Sequence, residues 1–266
     1  MMRGSNRRLR HLPMRMLAPN ILTVLALCTG MTAMRFALQE RWELAVAAVV
    51  IAGVFDGLDG RVARLLNGTS KFGAELDSLS DFISFGVAPV VVLYLWTLST
   101  LGGFGWVVVL GFSVCSALRL ARFNTALDDP DRPVWAANYF TGVPAPAGAL
   151  LSLWPMVASF LLGDTFFRSP WFAGAMVATF AFLMVSRIPT FSFKRVRVAR
   201  DWVLPVLVCV GLVAAMAMIY PWECLLLVGA VYIGILPVAS LSWHRNVKQA
   251  RERALSQPDE ALPPLA

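Results

Sequence analysis

The sequence predicts an all-α polytopic transmembrane helical bundle of about eight helices with both termini cytoplasmic. Three observations carry that prediction. First, hydrophobic residues make up 58% of the chain and charged residues only 15%, at a mean hydropathy of +0.67, which is too apolar for a soluble domain. Second, apolar runs at 20–38, 43–65, 74–98, 104–126, 143–162, 170–186, 202–219 and 222–241 approach the roughly 20 residues that a helix needs to cross about 30 Å of hydrocarbon. These runs are continuous rather than alternating, so helices are expected and not barrel strands. Third, with the N-terminus inside, 20 of the 23 Lys and Arg fall on the cytoplasmic side, and Arg35, Arg41 and Arg168 fall on the far side. The net charge of +7 is thus a positive-inside signal suited to anionic headgroups, and it calls for no nucleic acid.

Taken in order, residues 1–19 form a basic cytoplasmic segment, 20–243 a single transmembrane domain, and 244–266 a basic and then disordered tail. A secretory signal competes for the first 38 residues. That run is too long for a typical signal core, and no small-x-small site ends it. Cys28, Cys115, Cys209 and Cys224 lie one each in four runs, with no CxxC pair, and read as small hydrophobes without disulfide or zinc. Trp42, Trp106, Trp171, Trp202 and Trp222 at the ends of runs read as interface belts. The segment 193–201 reads as an inside loop able to hold an anionic headgroup.

The stretch from Phe55 to Gly86 is chemically out of place in a membrane, because it sets four aspartates and an arginine at the cytoplasmic ends of the second and third runs. A carboxylate at the bilayer centre costs about 2.5–3.5 kcal/mol, less near the interface, and clustering adds repulsion. Divalent cations would compensate. Asp56, Gly60 and Arg64 are spaced four apart and stack in one helical row, with Asp59 and Ala63 in the next. Gly60 leaves a bare patch through which a phosphate can approach, with Arg64 placed to pair with its oxygens. Gly73, Asp77 and Asp81 form a matching row on the third run, widened by Ser80 and Ser84, and a turn at Asn67 and Gly68 folds the rows together. Hard oxygen donors suit two Mg²⁺ or Mn²⁺ ions bridging a diphosphate. Taken singly, each aspartate would more often be a helix-end or pore-lining residue; the joint spacing is what separates this stretch.

Asp56-x2-Asp59-Gly60-x2-Ala63-Arg64-x8-Gly73-x3-Asp77-x3-Asp81 resembles the signature of the CDP-alcohol phosphotransferase family without departure. The resemblance implies that Asp56 and Asp77 bridge two metals, that Asp59 completes one site and Asp81 the other, and that Asp81 is also the general base. It further implies that Gly60, Arg64, Ser70 and Gly73 contact the CDP part of a CDP-activated lipid, with Ala63 permitting close helix packing. Asn20 and Thr23, after Pro19, resemble a second nucleotide-contacting segment, or else form an ordinary helix cap. The acceptor hydroxyl, deprotonated by Asp81, would attack the lipid-side phosphorus in line as CMP departs.

Three further segments, 70–89, 117–125 and 139–149, are similar to the branch of that family that uses L-serine, and imply CDP-diacylglycerol as donor. Arg119 and Arg122, with Asn124 beside them, would grip the serine carboxylate, or else serve as positive-inside anchors. The resemblance also implies a bacterial inner membrane, an active site facing the cytoplasm and a possible homodimer. Rival acceptors are glycerol 3-phosphate, inositol phosphate and choline. A cation transporter is a rival of another class, disfavoured because acids gathered near one face make no path across and Arg64 would repel cations.

Overall fold

The structure is a computed structural model that describes residues 14–66, 68, 70–127, 140–186, 189–190 and 203–235. The expectations for the first 13 residues, for Asn67, for the 193–201 loop and for the 244–266 tail lie outside the described residues.

Each predicted run is largely helical where described, with the 143–162 run starting at Ala145 and interrupted at Leu153. The first is α1 (Met14–Leu38), which starts upstream of the expected boundary and carries Pro19 inside it. After a short connection come α2 (Trp42–Leu65) and α3 (Lys71–Asp81). The third run does not continue as a uniform α-helix: a π-helical stretch, Phe82–Val87, separates α3 from α4 (Ala88–Trp96). Then follow α5 (Gly103–Leu127), α6 (Ala145–Ser152), α7 (Trp154–Leu162), the single turn α8 (Asp164–Phe167) and α9 (Pro170–Val185). The last two are α10 (Val203–Ile219) and α11 (Pro221–Ile235). The described strands are β1 (Phe140–Thr141) and β2 (Pro189–Thr190), an antiparallel pair with Phe140 opposite Thr190.

Among the described residues, four continuous helical stretches are long and apolar enough to cross a membrane: Leu17–Leu38, Lys71–Trp96, Gly103–Thr125 and Ala145–Leu162. At 24 residues α2 has the length, but its second half carries Asp56, Asp59, Arg61 and Arg64. The chain is an all-α polytopic membrane protein. The last pair departs from the evenly spaced crossings expected, because α10 and α11 are bent by 119° where Pro221 interrupts the helix. Proline has no N–H to continue the ladder, and it disfavours helical backbone at the residue before it.

The core forms where α1, α2, α4, α6, α7 and α9 meet, with Ala33, Val49, Leu93, Met156 and Phe180 among its buried residues. Small residues let the backbones approach, as expected where lipid and side chain are equally apolar and packing decides association. A Cβ at Gly86, in the π-helical stretch, would lie 2.7 Å from Ser116 Oγ of α5, so only glycine admits that contact. Ser113 Oγ of α5 donates to the Gly86 carbonyl at 3.0 Å, satisfying a backbone group in the irregular stretch.

Candidate active site

The site lies along the seam where α1 meets α2 and α3. Ser70 sets the start of α3: its extended backbone and its Oγ, which accepts from Gly73 N–H at 3.0 Å, make it the N-cap. From that start, Gly73, Asp77 and Asp81 fall on successive turns of α3, as their spacing predicts. A Cβ at Gly73 would stand 2.8 Å from Asn20 Oδ1 and 3.1 Å from Ser70 Oγ, so the glycine allows α1 to bring Asn20 against the beginning of α3. The expected neighbourhood of Asn20, Ser70 and Gly73 is therefore present.

Thr23 lies inside α1, not at its cap, and is 3% exposed. Its Oγ1 is 2.7 Å from Asp59 Oδ2 and 3.1 Å from the Pro19 carbonyl; the shorter contact, to a carboxylate, is the stronger claim on the one proton. Asp59, 4% exposed, is thereby held in a fixed direction. Ser80 Oγ donates to the Thr23 carbonyl at 3.1 Å, and Ser84 Oγ to the Ala26 carbonyl at 3.3 Å. These two serines tie α3 and the π-helical stretch to α1, where the sequence suggested only a polar stripe.

One carboxylate oxygen from each of Asp56, Asp59 and Asp77 lies within 4.8 Å of the others. Asp81 stands outside this triple, with Asp56, Asp77 and Asp59 as its electrostatic neighbours. Among the described residues the ion pair is Arg168–Asp164 at 3.1 Å, on another part of the chain, so none of the four site aspartates has a protein cation within salt-bridge distance. Carboxylates gathered in partly buried positions without a cation repel one another and lose hydration. An all-oxygen donor set of this density, with one member oriented by a threonine hydroxyl, fits a hard divalent ion.

Arg64 follows Gly60 by one turn and arcs back over it, its Nε donating to the Gly60 carbonyl at 3.0 Å, with the side chain exposed. Among the described residues nothing from elsewhere in the chain comes within 4 Å of where a Cβ on Gly60 would sit, nor of one on Gly57, so this face of α2 is open there. Ala63, partly buried, follows Asp59 in the adjacent row. A phosphate has room here.

The three residues expected to grip an acceptor carboxylate are not alike. Arg122 donates from Nη1 to the Val185 carbonyl at 3.0 Å and from Nη2 to the Ser186 carbonyl at 3.5 Å, closing the C-terminal end of α9. Asn124 Nδ2 donates to Ser78 Oγ at 2.9 Å, linking α5 to α3. Arg119 has Asp81 as an electrostatic neighbour, together with Arg122 and Tyr232. Tyr232 is a residue the sequence reading missed; the available signal was a phenol in an otherwise apolar run, since polar groups within such runs mark sites.

Comparison with known proteins agrees with this geometry. A sequence profile of the CDP-alcohol phosphatidyltransferase family matches residues 16–180, and a second, CDP-alcohol phosphatidyltransferase 2, matches residues 201–237. The chain is 39% identical over 221 residues to the CDP-diacylglycerol--serine O-phosphatidyltransferase of Mycobacterium bovis, covering 83% of this chain and 77% of that one. It is 35% identical over 223 residues to the Helicobacter pylori protein of the same name, covering 82% and 87%. Over 129 residues it is 41% identical to the Methanocaldococcus jannaschii protein of that name, covering 48% and 55%. With its aspartate rows on α2 and α3, both packed on α1, and a profile match that spans the whole seam, this chain belongs to the CDP-alcohol phosphatidyltransferase family.

Proposed function

We propose that this chain transfers the phosphatidyl group of CDP-diacylglycerol to L-serine, forming phosphatidylserine and releasing CMP. The observation that carries the reaction class is the oxygen-only cluster of Asp56, Asp59 and Asp77 with Asp81 as an electrostatic neighbour, none of them in a salt bridge among the described residues. Serine as acceptor is supported by the relatives at 35–39% identity, which are named for that acceptor and align over most of the chain.

Two Mg²⁺ or Mn²⁺ ions would be held by Asp56 and Asp77 as bridging ligands, with Asp59 completing one site and Asp81 the other. When bound, such ions neutralise a diphosphate and stabilise the charge that develops on the leaving group. The side chains do the rest. Thr23 keeps Asp59 aimed into the seam. Asn20, Ser70 and Gly73 form one wall for the nucleotide, and the open face at Gly60, backed by Ala63, receives the phosphates beside Arg64. Arg64 offers the guanidinium N–H groups not used on Gly60 to the departing phosphate oxygens. Asp81 takes the proton of the serine hydroxyl as its oxygen bonds to the lipid-side phosphorus. The bond from that phosphorus to the bridging oxygen breaks, and CMP leaves with the electron pair. The charge bias of the loops favours a cytoplasm-facing site, the bacterial relatives favour a bacterial inner membrane, and a homodimer is the assembly proposed.

The test supplies CDP-diacylglycerol and Mn²⁺ or Mg²⁺ to the purified full-length protein and compares serine, glycerol 3-phosphate, inositol phosphate and choline as acceptors. Serine-dependent CMP release is expected to exceed the others by at least about tenfold, because a site that hydrogen-bonds its substrate rejects analogues with mismatched groups. CMP release driven equally well by another acceptor would refute serine.

A further inference from the structure

The acceptor pocket draws on the last helix of the chain. On α5, Arg122 is engaged with the carbonyls that end α9, and Asn124 with Ser78, so their donors already have protein partners. Arg119 differs: its Nε is buried and has no hydrogen-bond partner among the described residues. A guanidinium N–H withdrawn from water without an acceptor is unfavourable, and native proteins rarely leave one so unless something binds there. The electrostatic neighbours of Arg119 indicate what. Asp81 is one and Tyr232 is another.

Tyr232 sits on α11, partly buried, and its ring forms part of an apolar cavity wall with Val46 of α2, Leu150 of α6 and Leu225 of α11. The indole of Trp154, which shares that wall, is satisfied by donation from Nε1 to the Leu226 carbonyl at 3.1 Å. Tyr232 thus stands on an apolar wall and is an electrostatic neighbour of Arg119. A buried guanidinium N–H without a partner among the described residues, on α5, thus has a phenol of α11 and a carboxylate of α3 as electrostatic neighbours.

We infer that Arg119 and Tyr232 together hold the carboxylate of the amino-acid acceptor, so that α11 contributes a specificity-determining residue to a site otherwise built on the first five helices. This rests on serine being the acceptor. A carboxylate accepts two parallel N–H bonds from a guanidinium and keeps a lone pair for a phenolic O–H. In serine the hydroxyl lies only two carbons from the carboxylate carbon, so a carboxylate held at Arg119 leaves the hydroxyl within reach of neighbouring Asp81. The ligand class is a small α-amino acid bearing a β-hydroxyl. An uncharged amide in place of the carboxylate would leave the guanidinium without its ionic partner.

The experiment uses the purified full-length protein with CDP-diacylglycerol and Mn²⁺, and compares wild type with Tyr232→Phe and Arg119→Lys. For each, KM is measured for serine and for CDP-diacylglycerol, and kcat/KM is compared between serine and serinamide. Tyr232→Phe is expected to raise the serine KM about tenfold, in line with loss of one hydrogen bond to a charged group, while leaving the CDP-diacylglycerol KM within about twofold. Its preference for serine over serinamide should fall by a similar factor. Arg119→Lys keeps the charge but loses the fork, and should reduce that preference further. Unchanged preference in both variants overturns the inference, as does an equal rise in both KM values, which marks general loosening of the packing. Wild type that ignores serine overturns the acceptor reading and this one with it. Wild type that prefers serine alongside an equally selective Tyr232→Phe overturns this one only.

Discussion

The α1–α3 seam and α10 solve opposite problems in the same membrane. In the seam, helices are joined by directed contacts: Thr23 to Asp59, Ser80 to the Thr23 carbonyl, Ser84 to the Ala26 carbonyl, and the glycine contact of Gly73 with Asn20. Along α10 the residues from Pro205 to Ile219 are all exposed, with Leu207 at 62% and Val213 at 63%. One region is specified by hydrogen bonds and close backbone approach, the other by apolarity alone. The contrast teaches that bilayer partition can place a helix in the membrane, but orienting one helix against another to within hydrogen-bonding distance requires polar and small residues. Only the second kind of region can hold carboxylates in register.

That comparison can be challenged at three levels of effect. The largest is expected at Asp81→Asn, which removes the proposed base while keeping the shape of the side chain; kcat should fall by at least about 10²–10⁴-fold. Binding of a CDP-lipid, followed by equilibrium dialysis, should remain measurable. Loss of binding with residual turnover would assign Asp81 to substrate affinity instead. A middle effect is expected at Thr23→Val, which keeps the volume but leaves the buried Asp59 without its hydroxyl donor. Removing such an orienting partner typically weakens metal binding about 10–100-fold, so the Mn²⁺ needed for half-maximal signal in a paramagnetic-resonance titration should rise by that order. An unchanged titration would mean that the seam does not depend on this bond. The smallest effect is expected at Leu212→Ala on α10, 62% exposed, where the change in stability should stay within about 0.5 kcal/mol. A large drop in thermal stability there would show that α10 is covered by another surface, such as a second copy of the chain, and would blur the distinction between the two regions.

What the sequence made readable follows the same division. The helices were legible because apolar length is a local property, and the runs expected at 43–65 and 170–186 match α2 and α9 to within a residue. The aspartate rows were legible because a four-residue spacing on a helix fixes which side chains share a face, and Asp56, Asp59 and Asp77 do converge. The links between helices were not legible. Arg122 bonds backbone carbonyls of α9, and carbonyls carry no residue signature, so the arginine looked like a free cation. Thr23 looked like a cap because Pro19 suggested a helix start, whereas α1 begins at Met14. Tyr232 lies over a hundred residues from the aspartates in sequence and meets Arg119 only through the tertiary fold.

The π-helical stretch at Phe82–Val87 has a consequence for how this helix can be both ligand and core. A π-bulge amounts to one additional residue in an α-helix, and one residue turns the side-chain pattern by about 100°. The third long helix therefore has two phases. Its upstream phase directs Asp77 and Asp81 toward the aspartates of α2, while its downstream phase buries Val90, Val92 and Leu93 in the protein interior. In a regular helix of this length, one rotation would have to serve both ends. The wider turn uncouples them, so the catalytic end and the packing end can each be tuned by substitution without detuning the other.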